Sequence, residues 1–146
     1  MMDERVNLFV KKLDSSVTLP QKQYKTDAGF DLFANEKVVI KPYSKKQIFL
    51  DFSMRLPANR FGHILSRSSL AMNGINVLGG IIDEGYIGNV SVILHNTTKD
   101  NFYIEKGNRI AQLIIQKYYA NVDVIETENL GAPTERGDNG FGSTGK

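Results

Sequence analysis

The chain contains no cysteine, which excludes disulfides and thiolate metal sites. It has two histidines, His63 and His95, too few for a zinc site; both stand in strand-like runs and read as structural residues. No apolar run is long enough to span a bilayer, and the opening Met-Met-Asp-Glu-Arg-Val lacks the apolar core of a signal peptide. A soluble intracellular protein is expected, with cytoplasm or nucleus undetermined. Charge of one sign is also scarce: the net charge is +2, and Lys11-Lys12 and Lys45-Lys46 are isolated pairs. Without a dense basic face, stable nucleic-acid binding is not expected. Helical periodicity is confined to one short stretch.

The chain is rich in glycine, with 13 in 146 residues, and in short alternating apolar runs. That combination predicts one all-β domain with many tight turns and enough length to bury a core. Val6, Leu8 and Val10 begin a first strand, and Val38-Val39-Ile40 is a short one closed by Lys41-Pro42. Ile48, Leu50, Phe52, Met54 and Leu56 alternate with polar residues and predict a single half-buried strand. Phe61 to Leu65, Arg109 to Ile115 and Tyr118 to Ile125 predict three more, the last with Val122 and Val124 on one side. The composition shifts from Glu126 onward. Residues 1–130 are therefore expected to form the folded domain and 131–146 a mobile C-terminal arm.

Five places are candidates for chemistry. Between Gly79 and Asn96 a Gly-rich bend holding Asp83 and Tyr86 precedes a strand with Val90, Val92 and Leu94 on its buried face. Bare backbone, an aromatic face and a carboxylate suit a flat polar ring with a water nearby; Asp-Glu-Gly also makes an ordinary turn. Ser66 to Gly74 reads as a capped helical turn, where Arg67 and neighbouring hydroxyls suit a phosphate or serve a plain N-cap. Gln112 is an amide inside an apolar strand and needs a definite partner, backbone or ligand. Asp31, between bulky apolar residues, reads as a satisfied turn acid. The tail from Arg136 to Lys146 combines an arginine, glycines, hydroxyls and Phe141, the parts of a lid over a nucleotide.

Five segments, in order, resemble the motifs of the homotrimeric dUTP pyrophosphatases (dUTPases): Ala28 to Ala34, Ser66 to Leu70, Gly80 to Gly88 with Asn96, Gly107 to Gln112, and Arg136 to Gly145. The resemblance implies a jelly-roll β-barrel, a homotrimer with active sites shared between subunits, and Mg²⁺-assisted hydrolysis of dUTP to dUMP and pyrophosphate. Such an activity limits uracil in DNA and supplies dUMP for thymidylate synthesis. It further implies Asp83 as the base that activates water and Tyr86 as the residue that packs under the sugar and selects deoxyribose. The backbone at Gly80, Ile82 and Ser91 would read uracil, and Arg67, Ser68, Ser69 and Gln112 would hold phosphates. Asp31 would lie near the metal through water. Arg136 would engage the γ-phosphate, Phe141 would cover the base, and Gly142, Ser143 and Thr144 would close over the triphosphate. Ser66 and Ser69 depart from the usual proline and glycine of the second motif. Two rivals share the likeness. A dCTP deaminase would need a glutamate near Ile93, which is aliphatic here; a nucleotide-gated trimeric regulator would act by binding a protein partner.

Overall fold

The computed structural model describes residues 4–142. Its elements in chain order are β1 (Phe9–Lys12), β2 (Phe30–Phe33), β3 (Val38–Ile40), β4 (Lys45–Phe49), β5 (Phe52–Arg55), β6 (Arg60–Leu65), α1 (Ser68–Met72), β7 (Ile75–Leu78), β8 (Ile81–Ile82), β9 (Ser91–Asn96), β10 (Phe102–Ile104) and β11 (Arg109–Lys117). The all-β expectation with one short helix holds. The closed jelly-roll barrel does not. Hydrogen bonding among the described residues gives four separate sheets, ordered β1-β5, β3-β10, β2-β11-β6-β8 and β4-β9-β7, with no ladder closing them into a ring. Short strands and abrupt changes of sheet interrupt the pairing before closure is reached.

The run from Ile48 to Leu56 shows how this happens. All five alternating apolar residues are buried, as their spacing predicts. The run nevertheless splits between two strands in two sheets, with Ile48 in β4 against β9 and Phe52 and Met54 in β5 against β1, while Leu50 and Leu56 lie just outside the strands. The break is at Asp51, whose φ of 63° is left-handed. Its N–H donates to Asn89 Oδ1 (2.9 Å), and its carboxylate accepts from Asn89 Nδ2 (3.2 Å) and Asn35 Nδ2 (3.0 Å). Burying Leu50 and Phe52 contributes about 1.5–3 kcal/mol each, which outweighs the roughly 1–2 kcal/mol cost of a left-handed residue.

Other elements differ from the sequence reading. β7 was not anticipated, because its residues are buried or half-buried in succession and show no alternation. It pairs antiparallel with β9, so residues 79–90 form the wide loop of a β7–β9 hairpin, and β8 within that loop pairs with β6 of another sheet. The helix has Arg67 at its N-cap with no side-chain cap bond; Ser66 instead accepts from the Val77 N–H at 2.8 Å. Tyr118 to Ile125 forms no strand. Val122 and Val124 are 64% and 97% exposed, because this single chain offers them no neighbouring edge. No helix among the described residues is long and apolar enough to cross a membrane.

Candidate active site

The bend after β8 and the start of β9 enclose a pocket of about 210 Å³. Ile64, Val77, Leu78, Gly80, Ile81, Ile82, Asp83, Tyr86, Ser91, Val92 and Ile93 line it. Local sequence explains each wall. Gly80 sits at φ 105°, and a Cβ there would lie 2.3 Å from the Ile64 carbonyl oxygen, so only glycine allows β8 to approach β6 this closely. The Gly80 carbonyl in turn accepts from the Ile64 N–H at 2.7 Å. Tyr86 folds back so that its hydroxyl donates to the Asn89 carbonyl at 2.8 Å, and a Cβ on Gly88 would come within 2.6 Å of that hydroxyl. The Tyr86 N–H closes the turn on the Asp83 carbonyl at 3.0 Å.

Asp83, an exposed residue, lines this pocket and also borders a groove formed with Phe61, Ile81, Glu84, Gly85 and Tyr118. No described residue donates a hydrogen bond to its side chain, so its lone pairs stay available to a water. The pocket lining includes no lysine or arginine. It can hold a flat, uncharged, hydrogen-bonding ring, but by itself it cannot neutralise a polyphosphate. Ile93 places an aliphatic side chain in the wall where a deaminase would carry a glutamate.

The phosphate candidates form a second cluster, at β2, β11 and the start of α1. Asp31 bridges two guanidiniums, with Arg67 Nε at 3.7 Å from Oδ1 and Arg109 Nε at 3.5 Å from Oδ2. Arg67 also donates to the Arg109 carbonyl at 3.3 Å. Asp31 is thus an ion-pair centre, more than the turn acid its sequence context suggests. Gln112 finds the partner its burial demands: Nε2 donates to the Ser66 carbonyl at 2.9 Å. Its amide packs on Gly29, where a Cβ would sit 2.5 Å from Gln112 Oε1. Ser66 ties the two clusters together, since its carbonyl receives Gln112 and its hydroxyl receives the Val77 N–H on the pocket wall. Ser68 and Ser69 are exposed on the first turn of the helix.

Arg136 and Phe141 do not line the Asp83 pocket and form no ion pair or hydrogen bond with the Asp31 cluster. Arg136 Nε donates locally to the Asn139 carbonyl at 2.7 Å, and Phe141 is fully exposed at φ 49° beside Gly142 at φ 81°. Ser143 and Thr144 lie outside the described residues. Three residues that the sequence did not single out have clear roles in the geometry: Arg109, Asn89 and Glu84. Glu84 accepts from the Asn59 N–H at 2.9 Å and from the Tyr118 hydroxyl at 2.7 Å. That hydrogen bond, then burial and the charges of Glu84 and Asp83, raises the Tyr118 phenol above its ordinary pKa.

Comparison with known proteins gives the chain's family. The sequence model of the dUTPase family matches residues 15–145. The deoxyuridine 5'-triphosphate nucleotidohydrolase of Variola virus is 42% identical over 137 residues, covering 94% of this chain and 91% of that protein. A point mutant of the Staphylococcus bacteriophage 80alpha dUTPase, solved with dUpNHpp, superposes with a TM-score of 0.89 at 30% identity, covering 96% of this chain and 99% of that one. A point mutant of the dUTPase from phage phi11 of S. aureus, described as coordinating a structural Mg(II) ion, has a TM-score of 0.79 at 25% identity and covers 86% and 99%. With a family match over most of its length and relatives of this identity, the chain belongs to the dUTPase family.

Proposed function

We infer that the chain hydrolyses dUTP to dUMP and pyrophosphate, with Asp83 as the base. The observation that carries this reading is the Asp83 carboxylate, open to water, at the edge of a pocket shared with Tyr86, Gly80 and Ser91. In this reading the backbone of Gly80, Ile82 and Ser91 reads the uracil edge. Tyr86, its ring fixed by the bond to Asn89, packs against the sugar and leaves no room for a 2′-hydroxyl. Asp83 takes a proton from water as that oxygen bonds to the α-phosphorus. The bond from the α-phosphorus to the bridging oxygen breaks, and pyrophosphate leaves carrying the electron pair.

The growing negative charge needs cations that the Asp83 pocket lacks. Arg67 supplies positive charge from the second cluster, where Ser68, Ser69 and Gln112 add hydrogen-bond donors for phosphate; from the arm, Arg136 engages the γ-phosphate, Phe141 covers the uracil, and Gly142, Ser143 and Thr144 close over the triphosphate. Residues 1–130 act as the folded domain and 131–146 as an arm that closes over bound nucleotide. A homotrimer with shared sites follows naturally, because the base pocket and the cation cluster can then be completed by different copies. The exposed apolar stretch from Tyr118 to Ile125 supports such an assembly.

Mg²⁺ fits the donor set only indirectly. Among the described residues no group of three His, Cys, Asp or Glu could hold it, and Asp31 is already engaged by two arginines. A hard cation that takes its oxygens from substrate phosphates and water suits this, with Asp31 reached through water. When bound, it would neutralise phosphate charge. Pyrophosphate release measured on each deoxynucleoside triphosphate tests the reading: activity is expected with dUTP alone, and Asp83→Asn is expected to lower kcat about 10²–10⁴-fold with binding retained. Near-normal turnover in that variant would remove Asp83 from the role.

A further inference from the structure

We propose that Glu84 is a positioning residue for Asp83, clamping the far side of the bend that carries the base. The inference rests on the reading of Asp83 as that base. A base with an unengaged carboxylate is oriented only by its backbone, and the backbone on either side of Asp83 is held in two different ways. On the near side, β8 is fixed by its ladder to β6, with Gly62 opposite Ile82 and His63 opposite Ile81. On the far side no ladder continues, and Gly85 follows immediately in a stretch with no strand pairing. There the side chain of Glu84 takes over the work of a ladder.

The Glu84 Oε1 atom accepts two hydrogen bonds from two separate elements. The Asn59 N–H, at 2.9 Å, comes from the turn before β6, where Asn59 is left-handed at φ 59°. The Tyr118 hydroxyl, at 2.7 Å, comes from the residue just after β11. These two donors are themselves joined, because the Tyr118 N–H donates to the Asn59 carbonyl at 3.2 Å. Tyr118 is braced further by an edge-on contact with Phe61, ring centroids 6.0 Å apart. The result is a three-cornered clamp of Glu84, Asn59 and Tyr118, anchored where β6 begins and β11 ends. Hydrogen bonds to an ionised acceptor are the strong kind, so one carboxylate can serve where a strand pairing is missing.

The same clamp sits at the root of the C-terminal segment, since Tyr118 is where the chain leaves β11. Glu84 therefore links the end of β11 with the bend of the base through a single oxygen atom.

Steady-state kinetics of the full chain on dUTP with magnesium, for Asp83→Asn, Glu84→Ala, Glu84→Gln and Tyr118→Phe, tests the proposal. Because a misplacement of about 1 Å costs on the order of 10²-fold in rate, Glu84→Ala is expected to lower kcat about 10–100-fold. KM for dUTP should stay within about threefold, since the pocket walls are untouched. Glu84→Gln keeps an acceptor oxygen for both donors and should restore at least about half of the wild-type kcat. Tyr118→Phe removes one of the two bonds and should fall between wild type and Glu84→Ala. If Glu84→Ala turns over within twofold of wild type while Asp83→Asn is inactive, the clamp is overturned and the base stands. If Asp83→Asn remains active, the underlying reading fails instead. A Glu84→Gln enzyme as slow as Glu84→Ala would overturn the acceptor role. Should Glu84→Ala not fold, unchanged kcat in Tyr118→Phe overturns the clamp.

Discussion

At the scale of single residues, the site depends on glycines that let other side chains fold back. Gly88 is the clearest case, because an added Cβ would collide with the Tyr86 hydroxyl 2.6 Å away. Gly88→Ala should turn the Tyr86 ring off its Asn89 bond and loosen whatever it excludes beneath the sugar. The ratio of kcat/KM for dUTP over UTP is expected to fall about tenfold or more, measured by pyrophosphate release from each nucleotide; an unchanged ratio would detach Tyr86 from sugar selection. Tyr118 gives a pH signature. Its phenol is raised by the Glu84 bond, so the fold favours the protonated form. That share of stability is present below the unfolded pKa of about 10 and is lost as pH rises through the higher folded value. Wild type should therefore melt above Tyr118→Phe at neutral pH, with the gap closing in strong alkali. Gln112 was legible in the sequence for a related reason: an amide within an apolar strand requires a partner, and for this half-buried side chain the Ser66 carbonyl is that partner. Glu84 was not legible, because a carboxylate in a turn tripeptide carries no mark of the distant donors it will meet.

At the scale of elements, periodicity reported burial correctly and neighbours poorly. The alternation from Ile48 to Leu56 survives the turn at Asp51, since all five apolar residues still face the core. A period of two says which face is inside and nothing about which strand lies alongside, so the change of sheet left no trace in the pattern. The same limit explains β7, whose consecutive half-buried residues have no period to detect. The switch itself is testable. Asp51→Ala removes the acceptor shared by Asn35 and Asn89 and leaves a β-carbon in a left-handed turn. A loss of about 1–3 kcal/mol in stability is expected from the stranded donors, read as a lower urea midpoint with unchanged slope. The arm should behave in the opposite way. The described residues from 131 onward are almost all exposed, so deleting 131–146 should leave the melting temperature nearly unchanged. Turnover should nevertheless drop strongly if the arm supplies phosphate and base contacts, and full activity in the truncated chain would end that reading.

At the scale of the whole molecule, the stretch from Tyr118 to Ile125 joins sequence and assembly. Its alternation of Val122 and Val124 reads as a strand, and β-branched residues at that spacing favour one. Beyond Tyr118 it joins no strand ladder among the described residues, leaving Val124 at 97% and Ile125 at 79% exposure. The structure leaves this stretch without a strand; in the proposed homotrimer, another copy would supply the neighbouring edge that a strand needs. The division of the site points the same way: the pocket around Asp83 holds no cation, and the arginines gather around Asp31 elsewhere. Replacing Val122 and Val124 together by serine removes apolar area from that seam without touching either cluster. Sedimentation should then show a trimer weakened toward monomer, and dUTP turnover per chain should fall with dilution more steeply than in wild type. A double variant that remains a stable trimer with concentration-independent turnover would place the subunit interface on another face of the protein.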